Sequence, residues 1–589
     1  MSNAIAAALL IPRAWRDLRL KPSPEIDASC ATKARVIQCR ESPKTFIVHL
    51  FSLTWGVYVS AVYFHAKGWQ KTQFSTGREL ILFGLTRRGI GGLEMIQPIV
   101  VSQTGAISPV YKRKMAKEAL SLISVAALEK EGLPRDVAET LCNLHFPQTM
   151  PNLSSRSVSY ALKFAEIFNF LRQLNAKKRD LPSLARIEAD PAPFIRNLPF
   201  SLTDDQLGAI EDCRNDLAKP VQARRLIVGD VGCGKTAVML AVAFMAKKAV
   251  IMVPTTLLAA QIYEEAGKLL KDLLSISLVT AGAGSKSEGL SAADLLIGTH
   301  ALLHQVLPRV PCVMIDEQHR FGTNQRKLLG ELTSGRGGKP HIFQFSATPI
   351  PRTLAMIESA LLDISTIKTA PFVKRTTTKV IDKASFKELI GAIRDEIAAN
   401  NQVLIVYPLI EASGANEYQS LEEAQGFWFK NFENVYVTHG KDREKERIIL
   451  SFRDNGSILL ATTVVEVGIN LPRLTTVVVV GAERLGLATL HQLRGRVGRM
   501  GQNSRCFFYT NHIQNERLRA LAETMDGFEV AELDLKNRMC GDLLSGEFQS
   551  GAAFNYFDLA DDEEILAAAK KRISLCHTPE RMAGAAISH

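Results

Sequence analysis

RRLIVGDVGCGKTAVML, residues 224–240, runs from a short apolar stretch through a glycine-rich turn into a second apolar stretch at helical spacing. Strand, turn and helix in that order are the setting in which G-x-x-x-x-G-K-[ST] binds phosphate. The glycines let successive backbone N–H groups close around the oxygens, and the helix N-terminus adds partial positive charge. Gly229, Asp230, Val231, Gly232, Cys233 and Gly234 then form the cradle. Lys235 would reach the β- and γ-phosphates of a bound nucleotide, and the Thr236 hydroxyl would ligate Mg2+. Cys233 reads as a small packing residue, since no resolving cysteine lies nearby in sequence.

Downstream, AVIMVP, SISLVT, ADLLIGT, PCVMID and HIFQFSA alternate with helical stretches, which indicates a parallel sheet covered by helices. PCVMID ends in the carboxylate pair Asp316 and Glu317. A neighbouring parallel strand can bring Asp316 beside the phosphate loop to hold magnesium, leaving Glu317 as the candidate base for an attacking water. Without a phosphate loop, an acidic pair after an apolar strand would be an ordinary solvated strand end. SAT, 346–348, puts small hydroxyls at another strand end, where they either link phosphate loss to movement or serve plain turn chemistry.

A second α/β series begins at 402 with QVLIVYP, continues through NVYVTHG, the charged helix KDREKERIILSFRDN (441–455), GSILLATT and TTVVVVGA, and ends in SRCFFYT. IKTAPFVKRTTTK (367–379), polar and unperiodic, reads as the linker between the lobes. HQLRGRVGR (491–499) places Gln492, Arg496 and Arg499 at a turn and helix start, where guanidinium groups can reach phosphates bound by the first lobe and stabilise transition-state charge. The alternative is a surface arginine cluster for nucleic acid. A site completed only across a cleft couples lobe movement to nucleotide state.

The 589 residues suffice for three or four domains. Nine scattered cysteines, never as CxxC, speak against a disulfide framework or a structural zinc and fit a reducing, cytoplasmic setting. Residues 1–120 hold 17 Lys+Arg against 7 Asp+Glu, so the N-terminal fifth carries +10 of the +11 net charge and suggests a polyanion partner. FSLTWGVYVSAVYFHA (51–66) is too short and too interrupted to span a membrane and reads as two β-strands. The N-terminal third alternates like a small oligonucleotide-binding β-barrel. There Trp69 and Phe64 are candidate stacking residues, with core packing as the alternative, and Arg87 and Arg88 are candidate phosphate contacts in a hairpin.

In order, GDVGCGKT, VPTTLLAAQ, GTHALL, IDEQHRFG, FSATPIPRTLAM, YPLIEAS, ATTVVEVGINLP and LATLHQLRGRVGR resemble the motor motifs of RecG branched-DNA helicases of superfamily 2. The resemblance implies two tandem RecA-like parallel-sheet domains (195–366 and 367–513), an OB-fold wedge domain (1–130), a helical linker (131–194), and a translocation hairpin with C-terminal tail (514–589). It implies ATP and Mg2+ as cofactors, branched DNA (forks and four-way junctions) as partner, and a bacterial cytoplasmic setting. It also admits a single-strand-binding protein as partner, with the chain a monomer.

Residue by residue, Phe200 and Gln206 in LPFSLTDDQ match the adenine-side motif, and Asn470 stands where a motif aspartate would meet the ribose. Thr255, Thr299, His300, Thr462 and Thr463 follow strands where hydroxyls can grip a phosphodiester chain, and Arg352 and His319 couple nucleotide to DNA. DGFEVAELDLKNRMCGDLLSGEFQSG (526–551) matches the translocation hairpin and its loop, with Arg538 and Gln549 on the DNA. Five departures stand out, two of them Asn470 in place of the motif aspartate and a shortened stretch between VPTTLLAAQ and GTHALL. The chain reads as lacking the helical region that the resemblance leads one to expect before LLIPRAWRDLRL, arginine-glycine-proline-glycine is replaced by Arg538, Met539, Cys540 and Gly541, and one residue reads as inserted before Gln549. The alternative functions are a hydrolysis-impaired DNA-binding scaffold and a transcription-repair-coupling-like duplex translocase.

Overall fold

The computed structural model describes residues 3–89, 91–112, 117–177, 180–280, 292–335, 337–349, 351–359, 362–372, 375–409, 418–462, 471–498, 501–537 and 554–576. The chain forms two compact units. The first comprises residues 1–173 with 554–558 and 564–589; the second comprises 174–553 with 559–563.

In the first unit, β1 (Ala14–Asp17) pairs antiparallel with β7 (Ile107–Val110), and between them lies a closed five-stranded barrel. Its strands are β2 (Ala28–Glu41), β3 (Thr45–Ser52), β4 (Tyr58–Phe64), β5 (Glu79–Gly89) and β6 (Gly92–Val101), in the order β2-β3-β4-β6-β5. The 14-residue β2 closes it. Its first half pairs with β5 and its second half with β3, bending at a bulge between Val36 and Gln38. Val36, Val48, Leu50, Ala61, Leu82 and Met95 fill the interior. The 51–66 stretch holds the end of β3, a turn and β4. Helix Arg156–Lys177 carries Glu166, whose carboxylate accepts the backbone N–H groups of Asn555, Tyr556 and Phe557 at 2.8–2.9 Å. A tripeptide near the C-terminus is thereby tied to a helix some 390 residues earlier.

The second unit contains two parallel-sheet lobes. Lobe 1 consists of β8 (Arg224–Gly229), β9 (Ala249–Met252), β10 (Ile276–Val279), β11 (Leu295–Gly298), β12 (Cys312–Ile315), β13 (His341–Ser346) and β14 (Asp363–Ile367). Their order is β10-β11-β9-β12-β13-β8-β14. AVIM, LLIG and CVMI are buried at every position because helices cover both faces, so these strands carry no polar alternation. Lobe 2 consists of β15 (Arg375–Ile381), β16 (Gln402–Tyr407), β17 (Val435–Thr438), β18 (Ile458–Thr462), β19 (Leu474–Val480) and β20 (Asn503–Tyr509), ordered β15-β20-β19-β16-β18-β17.

Two boundaries differ from the sequence reading. The end of the proposed linker is the edge strand β15, whose burial alternates so that Arg375, Thr377 and Lys379 line its exposed face. The charged helix starts at Lys445, because Thr438 and Asp442 bond to each other and Asp442 accepts the N–H of Glu444 to make a turn first. Among the described residues no helix is long and apolar enough to cross a membrane, and no cluster of three or more metal-ligating side chains occurs.

Candidate active site in the cleft between the lobes

The loop after β8 is built from behind as well as from within. Gly232 and Gly234 sit at φ +83° and +79°, and a side chain at Gly234 would strike Gln206 Nε2 at 2.2 Å. Gln206 is buried. Its Nε2 donates to the Cys233 carbonyl at 2.9 Å and its Oε1 accepts Thr203 N–H at 2.8 Å, completing the capping box of helix Asp204–Leu217. Gln206, the adenine-side glutamine of the sequence reading, here braces the loop against that helix, and Phe200 is 45% exposed nearby in sequence. Cys233 is fully buried, as its reading as a packing residue requires.

Lys235 opens helix Lys235–Ala246, followed by Thr236. Its Nζ donates to the carbonyls of Gly229 and Asp230 at 2.8 and 2.9 Å, so the ammonium lies inside the loop. Asp316 follows β12, one strand beyond β13 from the loop. Burial, and then the Glu317 charge, push its carboxyl above the usual carboxylate range, while Lys235 and Arg496 pull it back. A lobe-2 guanidinium therefore lies within electrostatic reach of the lobe-1 carboxylate. Glu317 stands at φ +48°, a left-handed conformation unusual for a non-glycine residue, and its buried Oε2 has no hydrogen-bond partner. His319 Nδ1 is 3.7 Å from that oxygen and 3.4 Å from Thr348 Oγ1, and Thr348 bonds Ser346 Oγ at 3.0 Å. The DEQH and SAT segments are therefore linked. Partial desolvation of the ring lowers the His319 pKa, which favours its neutral form.

From lobe 2, Gln492 and Arg496 are both buried. The sequence expectation put them at a helix start, but they occupy the end of helix Leu487–Arg494 and the turn after it, because Gly486 caps the start and Gly495 the end. Gly495 also lets the lobes touch: a side chain there would lie 2.8 Å from Val231 in the phosphate loop. The contact that sequence reasoning missed is His491, whose Nε2 is 2.8 Å from Asp230 Oδ1. Its signal was present, in a histidine opening HQLRGRVGR and an aspartate inside GDVGCGKT, but nothing local pairs residues 261 apart.

Thr255 caps helix Thr256–Leu269, and Thr256 bonds Glu446 of lobe 2. Thr299 caps the 3-10 turn His300–His304 and is buried, while His300 is exposed. Thr462 ends β18, buried, and Arg352 begins helix Arg352–Glu358. Thr463, Asn470, Arg499, Arg538 and Gln549 lie outside the described residues. In the barrel unit, Trp69 and Phe64 are exposed rather than packed in the core, at 62% and 45%. Arg87 and Arg88 lie in the β5–β6 hairpin, where Arg87 pairs with Glu94 at 3.3 Å.

A family profile described as DEAD/DEAH box helicase matches residues 203–357, and one described as helicase conserved C-terminal domain matches 384–501. The chain is 40% identical over 600 residues to the ATP-dependent DNA helicase RecG of Helicobacter pylori (strain ATCC 700392 / 26695), covering 97% of this chain and 96% of that one. It is 35% identical over 567 residues to the RecG of Aquifex aeolicus (strain VF5), covering 85% and 71%. Among solved structures it is similar to RecG bound to a three-way DNA junction, with a TM-score of 0.58 and 28% identity across 96% of this chain and 82% of that one. The loop, the carboxylate pair and the buried arginine turn thus sit in a chain that belongs to the RecG family of ATP-dependent DNA helicases.

Proposed function

We propose that this helicase uses ATP hydrolysis in the interlobe cleft to remodel branched DNA, forks and four-way junctions, in recombination and repair. The observation that carries the hydrolytic part is the close approach of the two lobes at one loop, with Lys235 inside it and Arg496 of the other lobe acting on Asp316. Lys235 exchanges its two carbonyl partners for phosphate oxygens. Glu317 Oε2, buried and with no hydrogen-bond partner, takes the proton of the attacking water. Arg496 and Arg499 neutralise charge developing on the γ-phosphate, and Gln492 holds the turn that presents them. Gly229, Asp230, Val231, Gly232, Cys233 and Gly234 cradle the phosphates through their backbone, with Phe200 and Asn470 toward base and ribose.

The Thr236 hydroxyl and the Asp316 carboxylate, which lies within electrostatic reach of Lys235 in the phosphate loop, are the oxygen donors that would hold Mg2+. Bound there with ATP, the ion would neutralise phosphate charge.

Branch recognition rests on family membership, on the likeness to RecG bound to a three-way junction, and on the basic barrel region with its exposed Trp69, Arg87 and Arg88. Thr255, Thr299, His300, Arg352, Thr462, Thr463, Arg538 and Gln549 track the DNA backbone in this reading. Residues 1–130 form the wedge, 195–366 and 367–513 the motor lobes, and 514–589 the hairpin and tail. A single-strand-binding protein is a further partner, and the chain works as a monomer in the bacterial cytoplasm.

The test compares ATP turnover with forked, linear duplex and single-stranded DNA, using Lys235→Ala as control. Forks are expected to stimulate most, with the variant inert. Equal stimulation by all three DNAs would remove branch preference, and no stimulation by any would remove the DNA motor.

A further inference from the structure

The interlobe contact at Asp230 has a directional chemistry. Asp230 Oδ1 accepts Val231 N–H at 2.6 Å and faces His491 Nε2 at 2.8 Å. On the other side of the imidazole, Nδ1 is 2.7 Å from Arg494 Nη2, and Arg494 Nη1 donates to the Leu521 carbonyl at 2.6 Å. A guanidinium can only donate, so Nδ1 must be the bare lone pair and the proton must sit on Nε2, aimed at Asp230. Arg494 is 1% exposed and His491 4% exposed, so neither can swing away without opening the lobe core. The bond is also enclosed: a side chain at Gly527 would meet His491 Nε2 at 2.9 Å, Asp230 Cγ at 3.0 Å and Pro349 at 2.7 Å.

We propose that His491 is a positioning residue for ATP hydrolysis: with its tautomer set by Arg494, it holds the Asp230 carboxylate from lobe 2 and so fixes the distance between the phosphate loop and Arg496. The inference rests on the reading of Arg496 as the guanidinium that completes the site. His491 touches neither the phosphates nor Lys235 in this scheme. Its loss therefore leaves ATP binding by lobe 1 intact and lowers the rate at which the bound triphosphate is cleaved. A misplacement of about 1 Å in such a site costs on the order of 10²-fold in rate.

The test uses two amides that imitate opposite ends of the ring in the full-length protein. His491→Gln keeps a donor near the Nε2 position; His491→Asn keeps an acceptor near Nδ1 but cannot reach Asp230. Fork-stimulated kcat is expected to fall roughly 10- to 100-fold in His491→Asn with the KM for ATP within about two-fold of wild type, and to stay near wild type in His491→Gln. Asp230→Ala approaches the same bond from the loop, and combined with His491→Asn it should cost no more than either change alone. Equal losses in the two amide variants, a loss carried by KM, or additive losses in the double variant would each overturn the proposal. Arg496→Ala is measured alongside. If it leaves turnover intact, the reading of the cleft fails; if it slows turnover while His491→Asn does not, only this inference fails.

Discussion

The cleft and the barrel present functional side chains in opposite ways. In the cleft, Gln206, His491 and Arg494 are buried and each bonds to a segment distant in sequence, so the groups they hold have one geometry. In the barrel, Trp69 and Arg88 stand exposed, and Arg87 is restrained by a single surface ion pair with Glu94. Buried networks set geometry at the cost of tolerance, whereas exposed groups act by contact area and charge and can be removed one at a time. Substitutions in the cleft should therefore cost rate steeply, and those in the barrel should cost affinity in small steps.

The sharpest way to break that contrast is Glu317→Gln, which keeps the shape and removes the base; single-turnover hydrolysis should slow by about 10²–10⁴-fold while nucleotide still binds. A rate within a few-fold of wild type would take the proton from Glu317. Next in size, Trp69→Ala should weaken fork binding by ~1–3 kcal/mol per stacked base, read by fluorescence anisotropy, with turnover at saturating DNA unchanged. A fall in saturated turnover would mean that the barrel shapes the chemistry after all.

A smaller effect concerns stability. Because the Asp316 carboxyl is raised in the folded state, the folded protein holds that proton more tightly than the unfolded chain. Stability is therefore lost as pH rises from the ordinary carboxylate range toward neutrality. Without nucleotide, Asp316→Asn should melt higher than wild type near neutral pH, and the gain should fade on acidification. Identical melting curves across that window would remove the burial argument. Smallest of all, Arg87→Ala should change fork affinity by less than about 1 kcal/mol, since its charge is already shared with Glu94.

What could be read from the sequence followed the range of the chemistry. The phosphate loop, both parallel sheets and the acidic pair after β12 are local patterns, and each lies where its spacing predicts a loop or strand end. Gln206 was legible as a site residue, but its engagement with both Thr203 and the Cys233 carbonyl was not, because that needs the helix and the loop together. His491 and Asp230 belong to motifs read separately, and only the folded lobes bring them into contact. Glu166 carried no signal at all: its three backbone partners near residue 556 become neighbours only in the folded unit. The exposure of Phe64 and Trp69 was equally hidden, since apolar patterning does not reveal that Phe64 ends β4 at its rim or that Trp69 lies in the short helix Gly68–Lys71.

The central claim, that two lobes act on one triphosphate, is tested most directly by Arg496→Ala in single-turnover hydrolysis with ATP binding measured in parallel. The account predicts near-normal ATP affinity and cleavage slowed by about 10³-fold or more. Cleavage at the wild-type rate would mean that the second lobe contributes no charge to the reaction.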